Sequence, residues 1–150
     1  MPKGNVMPLR VASAVVLALL LSGCSKQAAT ADAEKVVNDM VKAIREIAPV
    51  ADSVKDAATA GAAMEKFIAI ENQMGAIAER AAKIHMPEKS RKVALDAKLK
   101  KEWEVIDTLT ATVREKIRGN QQAAMNIGVV LFDLRKRSEI VWEGQKEAEE

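Results

Sequence analysis

Apolar side chains recur every three or four positions from about residue 33 onward, and this spacing constrains the fold more than any other feature of the chain. No sustained stretch alternates between apolar and polar residues, as a half-buried strand would. Aromatic residues make up only 3 % of the chain, and Ala, Val, Ile, Leu and Met supply nearly all of its apolar mass. Ala, Leu and Met favour helices, and the chain is poor in the aromatic residues that strands favour. It is therefore predicted to be all-α.

The spacing predicts four helices of similar length, each with one stripe of buried residues. The first stripe consists of Val37, Met40, Ile44, Ile47, Ala51, Val54 and Ala58, and the second of Ala63, Phe67, Ile70, Met74, Ile77, Ala81 and Ile84. The third consists of Leu95, Leu99, Trp103, Ile106, Thr110, Val113 and Ile117, and the fourth of Ala124, Ile127, Leu131, Leu134, Ser138 and Val141.

Breaks between the helices are expected where one stripe ends and the next begins. The first falls at residues 59–61 and the second at residues 86–90, where Pro87 would end a helix and Ser90 would cap the next. At the third break, Gly119 is expected at the C′ position and Asn120 at the N-cap. Short links force successive helices to run antiparallel, so residues 33–150 are predicted to form an up-down-up-down antiparallel four-helix bundle. Since the first stripe continues in phase through Pro49, one kinked helix is favoured there over two separate helices.

The N-terminal residues have the pattern of an export signal. Lys3 and Arg10 are basic, and residues 11–21 form an apolar run about half as long as a membrane-spanning helix needs. The run ends in Leu21-Ser22-Gly23-Cys24, which resembles the lipobox of bacterial lipoproteins. An ordinary signal peptide with an incidental cysteine and an uncleaved membrane anchor are the alternatives.

The lipoprotein resemblance implies the processing and the location of the chain. Residues 1–23 would be a cleaved signal peptide, Cys24 would carry a diacylglyceryl thioether and a further acyl chain such as palmitate, and residues 24–32 would be a flexible tether. Ser25 follows the cysteine, and in enterobacterial lipoproteins a residue other than Asp at this position permits transfer to the outer membrane. We therefore expect a protein of the bacterial cell envelope, lipid-anchored in the outer membrane and facing the periplasm.

The charge balance changes when the signal peptide is removed. The 23 basic residues include Lys3 and Arg10, so 21 remain against 21 acidic residues. A mature chain without net charge is not expected to bind nucleic acid, because such binding depends on neutralising phosphates.

A basic cluster is expected at the end of the bundle where the tether enters. Its members are Lys83, His85, Lys89, Arg91 and Lys92. Near anionic phospholipid these cations would hold the bundle upright on the membrane. Two alternatives remain: the cluster is covered by acidic residues of the C-terminus, or both groups are solvated helix ends. The acidic residues are Glu143, Glu147, Glu149 and Glu150.

The sequence offers little for catalysis or metal binding. His85 is the single histidine and Cys24 the single cysteine, and no glycine-rich phosphate loop is present. No enzymatic activity, cofactor or metal site is therefore expected. The alternative is an enzyme, or an enzyme inhibitor, that uses His85 together with Glu79 or Glu88.

A further resemblance concerns the layout of the helices. Met40 in the first helix, Pro87 between the second and third, and Gly119-Asn120 before the fourth are similar to the arrangement in periplasmic four-helix b-type cytochromes. The resemblance implies the same fold and makes Met40 a possible haem ligand. The chain departs from the family because residues 137–141, where the axial histidine is expected, contain none.

The leading functional prediction is a non-enzymatic lipoprotein whose bundle binds a protein partner or acts as a scaffold at the membrane surface. The alternative is a bundle that holds haem, a metal or an apolar ligand in its core. Of the two tryptophans, Trp103 is expected in the core and Trp142 at a surface. No second apolar seam is recognised in the residues that flank the buried stripes, which include Ile68, Val105 and Val129.

Overall fold

The computed structural model describes the backbone of residues 12–143 and the side chains of residues 30–143. Within these residues the chain forms four helices: α1 (Ala12–Ser53), α2 (Ala57–Ala81), α3 (Lys89–Lys116) and α4 (Gln121–Arg137). The predicted all-α four-helix bundle with antiparallel contacts is confirmed.

The order of the helices around the bundle is not the order along the chain. α1 packs against α2 and α3, while α4 packs against α2 and α3. Within the described residues α2 and α3 lie on a diagonal of the bundle, so the connection between them crosses its end. This connection runs from residue 82 to residue 88 and can span about 24 Å, well beyond the diagonal of about 13 Å between helices packed 8–10 Å apart.

Ion pairs and hydrogen bonds between α1 and α3 show that these two neighbours run parallel. Arg45 Nε lies 2.9 Å from Glu102 Oε2, and Arg91 pairs with Glu34 near the other end of the same interface. Residue numbers therefore rise together along both helices. The bundle consists of two antiparallel hairpins, α1–α2 and α3–α4, placed side by side.

The core follows the predicted stripes closely. Every predicted member from Val37 to Val54 is buried, as are Phe67 and Met74 of α2 and Trp103 of α3. Ser138 is the single buried polar residue among those described. The predicted burial fails mainly at the ends of the stripes, where Ala58 and Val141 are exposed.

The first break comes earlier than predicted. α1 ends at Ser53 and α2 begins at Ala57, so residues 59–61 are helical. Asp56 is the N-cap: its carboxylate accepts from the Thr59 amide at 2.9 Å, and Thr59 Oγ1 accepts from the Asp56 amide at 3.0 Å. This capping box satisfies the free amides of the first turn and fixes the start of α2.

Two expectations concern the length of α1. The helix continues through Pro49 to Ser53, in agreement with one helix rather than two. The backbone of residues 24–32, expected to be a flexible tether, is helical and belongs to α1. Alanines at 28, 29 and 31 are strong helix formers and account for this continuity. The division of the chain at Cys24 stays a prediction.

The second break differs from the prediction in its caps. α2 ends at Ala81, six positions before Pro87, and the N-cap of α3 is Glu88 rather than Ser90. Pro87 is buried, so the connection packs on the end of the bundle. A proline directly before the N-cap suits this start, because it holds an extended backbone that a helix cannot continue through.

The third break is predicted correctly in one of its two residues. Asn120 is the N-cap of α4, and its side chain accepts from the Ala123 amide at 3.0 Å. Gly119 is not the C′ residue, because the C-cap of α3 is Ile117 and Arg118 follows it.

The chain turns back after α4 instead of continuing as a helix to its end. Ser138 is the C-cap, and the Glu143 amide donates to the Ile84 carbonyl at 3.0 Å. Trp142, expected at a surface, is only 1 % exposed, whereas Val141 is 40 % exposed. Ile140 and Trp142 are buried on either side of the exposed Val141, an alternation typical of extended chain, and the tryptophan thereby takes a core position. Over the part of the chain that the structure describes, none of the helices has both the length and the apolar character that crossing a membrane requires.

Candidate functional site: the α3–α4 groove

An open groove lies between α3 and α4, which pack against each other less closely than the other neighbouring helices do. Two adjoining cavities of about 760 and 290 Å³ share Arg114, Gly128 and Phe132 in their linings and therefore form one continuous feature. We call it the α3–α4 groove. It runs from Trp103 and Arg135 near the middle of the bundle to Arg118 and Gln121 at the end of α3.

Three large apolar side chains of α4 line the groove without being covered. Met125 is 57 %, Val129 54 % and Phe132 67 % exposed. They occupy positions i, i+4 and i+7, which places them on one face of the helix. The core of the bundle holds Ile127 and Leu131 of the same helix, so this face belongs to the groove and not to the core.

The local sequence of α4 explains why the groove is open. Ala124 and Gly128 lie among its lining residues. Ala124 carries only a methyl group and Gly128 has no side chain, which leaves space that larger residues would fill. A Cβ at Gly128 would lie 3.3 Å from Nη2 of Arg114, so the guanidinium rests directly over the glycine.

The rim of the groove is positively charged. Arg114, Arg118 and Arg135 line the two cavities, against a single acidic residue, Asp107. Arg118 pairs with the neighbouring Glu115 at 2.9 Å. Arg135 stacks on the ring of Trp103 with 4.9 Å between its guanidinium carbon and the ring centroid, a cation–π contact that holds the side chain at the rim.

Sequence reasoning missed this site. It recognised Val129 as a flanking apolar residue but not the stripe that Val129 forms with Met125 and Phe132. The sequence of α4 contains two apolar stripes with helical spacing, and only one of them can face the core. A second stripe with helical spacing indicates an apolar surface outside the core.

The predicted lipidation site lies where the structure describes only the backbone. Leu21, Ser22, Gly23 and Cys24 fall within α1, and their side chains are outside the described residues. Their assignment as a lipobox with a lipidated cysteine stays a prediction.

The structure brings the predicted basic cluster together at one end of the bundle but pairs most of it with carboxylates. His85 Nδ1 lies 3.2 Å from Glu143 Oε2, Arg91 pairs with Glu34, and Lys92 Nζ lies 2.7 Å from Asp96 Oδ2. The remaining members, Lys83 and Lys89, are exposed. The contact between Glu143 and His85 agrees in part with the alternative in which C-terminal acidic residues cover the cluster. Glu147, Glu149 and Glu150 lie outside the described residues.

Met40, the possible haem ligand, and His85, the candidate residue of the enzyme alternative, are in different environments. Met40 is fully buried in the core, whereas most of the His85 side chain is exposed at the end of the bundle. Neither residue lines the α3–α4 groove. Within the described residues, His, Cys, Asp and Glu side chains do not come together in any group of three that could hold a metal ion.

The α3–α4 groove combines two kinds of chemistry. Its lining offers apolar surface and guanidinium groups, which are suited to an amphipathic ligand with carboxylates. Comparison with family models, with curated proteins and with solved structures finds no match for this chain.

Proposed function

We propose that this chain is a lipid-anchored protein of the bacterial cell envelope whose helical bundle binds a protein partner at the membrane surface and has no catalytic role. The sequence Leu21-Ser22-Gly23-Cys24, placed directly after an apolar run, supports the anchor. The observation that carries the binding role is the α3–α4 groove, with its uncovered Met125, Val129 and Phe132.

The position of the groove relative to the anchor supports a partner in the periplasm. Cys24 precedes Ala33, the first buried residue in the part of the chain whose side chains the structure describes, so the lipid would enter at the end of the bundle where α1 starts to pack. Arg118 and Gln121 lie at the opposite end, because α3 runs parallel to α1. The groove therefore opens on the half of the bundle farther from the proposed membrane surface.

Metabolic labelling with an alkyne analogue of palmitate tests the anchor. The full-length chain is expected to take up the label and to fractionate with the outer membrane. Cys24→Ala is a matched control because Cys24 is the single cysteine of the sequence. An unlabelled wild-type chain in the soluble periplasmic fraction would contradict the anchor and favour an ordinary signal peptide.

Crosslinking in cells with a lysine-reactive reagent tests the partner. The proposal expects a discrete adduct between the wild-type chain and another protein, and a weaker adduct with the mislocalised Cys24→Ala variant. A wild-type chain that is correctly anchored but forms no adduct with any protein would contradict the binding role.

A further inference from the structure

We infer that the α3–α4 groove binds a single amphipathic helix of the partner, about four turns long, with carboxylates beside its apolar face. This inference rests on the proposed function and specifies the chemistry of the partner.

The apolar stripe fits a helix lying along α4. Met125, Val129 and Phe132 have the i, i+4, i+7 spacing by which helices pack into one another, and the groove that they line is open to solvent. The lining residues of α4 extend from Gln121 to Arg135, about 21 Å along the helix axis. A partner helix of about 14 residues covers that length.

The rim of the groove selects the charge of the partner. Arg114, Arg118 and Arg135 outnumber Asp107, and Arg114 forms no ion pair within the described residues. Carboxylates flanking the apolar face of a bound helix would accept hydrogen bonds from these guanidinium groups. A lysine-rich helix would instead meet like charges in a partly desolvated site.

Three other occupants of the groove fit less well than a partner helix: a second copy of this chain, its C-terminal residues and a lipid surface. A second copy of this chain, docked through the same face, would bring the three arginines of each groove together around a two-fold axis. The C-terminal residues 144–150 contain only one apolar residue, Ala148, and could not cover Phe132 and Val129. Phospholipid of the anchoring membrane would lie at the end of the bundle remote from the groove.

Binding of two designed helical peptides to the full-length chain in zwitterionic nanodiscs tests the inference. Each peptide has about 16 residues, with leucines spaced i, i+4, i+7. One carries glutamates beside the leucines and the other carries lysines. We expect the glutamate peptide to bind at least about tenfold more tightly than the lysine peptide. The double variant Arg114→Glu/Arg118→Glu should reverse this preference.

Matched variants separate groove binding from general stickiness. Phe132→Ser should weaken the glutamate peptide about tenfold, since exposed aromatic anchors dominate such contacts. Ile68→Ser and Lys66→Glu replace exposed residues of α2 outside the groove and should change the affinity by less than about twofold. The five substituted positions, 66, 68, 114, 118 and 132, are all exposed, and far-UV circular dichroism checks that each variant keeps its helices. Equal binding of both peptides, or equal loss with the α2 variants, would overturn the inference.

A photo-crosslinking residue placed at position 132 or at position 68 tests the same surface in cells. The inference expects an adduct with another protein at 132, lost in Arg114→Glu/Arg118→Glu, and none at 68. Adducts at 132 with phospholipid or with a second copy of the chain would overturn it. Protein adducts at position 68 alone would overturn the helix-binding groove but leave the proposed function standing. If neither position gives an adduct and the lysine-reactive reagent also gives none, the inference and the proposed function are both contradicted.

Discussion

The guanidinium of Arg114 on α3 lies over Gly128 on α4, so close that a Cβ at position 128 would be 3.3 Å from Nη2. This contact joins the two helices where their packing is sparse and holds one of the cations that line the α3–α4 groove. The glycine therefore has a local packing role in addition to its cost in helix propensity.

Gly128→Ala tests how firmly this contact is held. Alanine in a helix interior is favoured over glycine by up to about 1 kcal/mol, and the exposed end of Arg114 is free to move by a few tenths of an ångström. We expect the free energy of unfolding in urea to rise by about 0.5–1 kcal/mol. Gly75→Ala on α2 is the control, because its Cβ would lie 3.9 Å from Arg137 Nη1, an ordinary contact. A loss of stability in Gly128→Ala, with the expected gain in Gly75→Ala, would show that Arg114 is fixed in place.

The cap of α4 gives a prediction with an internal control. Asn120→Ala removes the acceptor of the Ala123 amide and should lower the free energy of unfolding by about 1 kcal/mol. Asn120→Asp keeps an acceptor at the same place and should retain most of the stability. Equal losses in both variants, measured by urea unfolding, would show that the side-chain cap contributes little.

The buried stripes could be predicted from the sequence because residues from Val37 to Val54 follow one helical period. The break at Asp56 was missed because that stripe continues smoothly toward Ala58, while the signal lies in the capping pair with Thr59. The diagonal placement of α2 and α3 could not be predicted, since a stripe shows which face is buried but not which helix covers it. The apolar stripe of the groove could be recognised in the sequence from Met125, Val129 and Phe132. Its arginine rim could not, because it depends on α3 packing beside α4.

Trp142 tests the turn of the chain back onto the bundle. Since the side chain is 1 % exposed, Trp142→Ala should cost about 3–5 kcal/mol of unfolding free energy. Val141→Ala, at a 40 % exposed neighbour, should change it by about 0.5 kcal/mol or less. In Trp103→Phe, Trp142 is the single remaining tryptophan, and its fluorescence should be blue-shifted in the folded state. Emission near that of free tryptophan would place the side chain in water.

Acid should destabilise the fold through two carboxylates. Hydrogen bonds from the backbone amide and then the hydroxyl of Thr59 lower the pKa of Asp56, and the side-chain hydrogen bond from Arg45 lowers the pKa of Glu102. Since both folded-state pKa values lie below the unfolded ones, their stabilisation is complete above the unfolded values of about 4 and is lost as the pH falls through the folded values. The melting temperature should therefore drop between about pH 5 and pH 2.5. Asp56→Asn keeps a capping oxygen without a titrating group, so its melting temperature should fall less over this range, and an unchanged fall would exclude Asp56 as a source of the acid sensitivity.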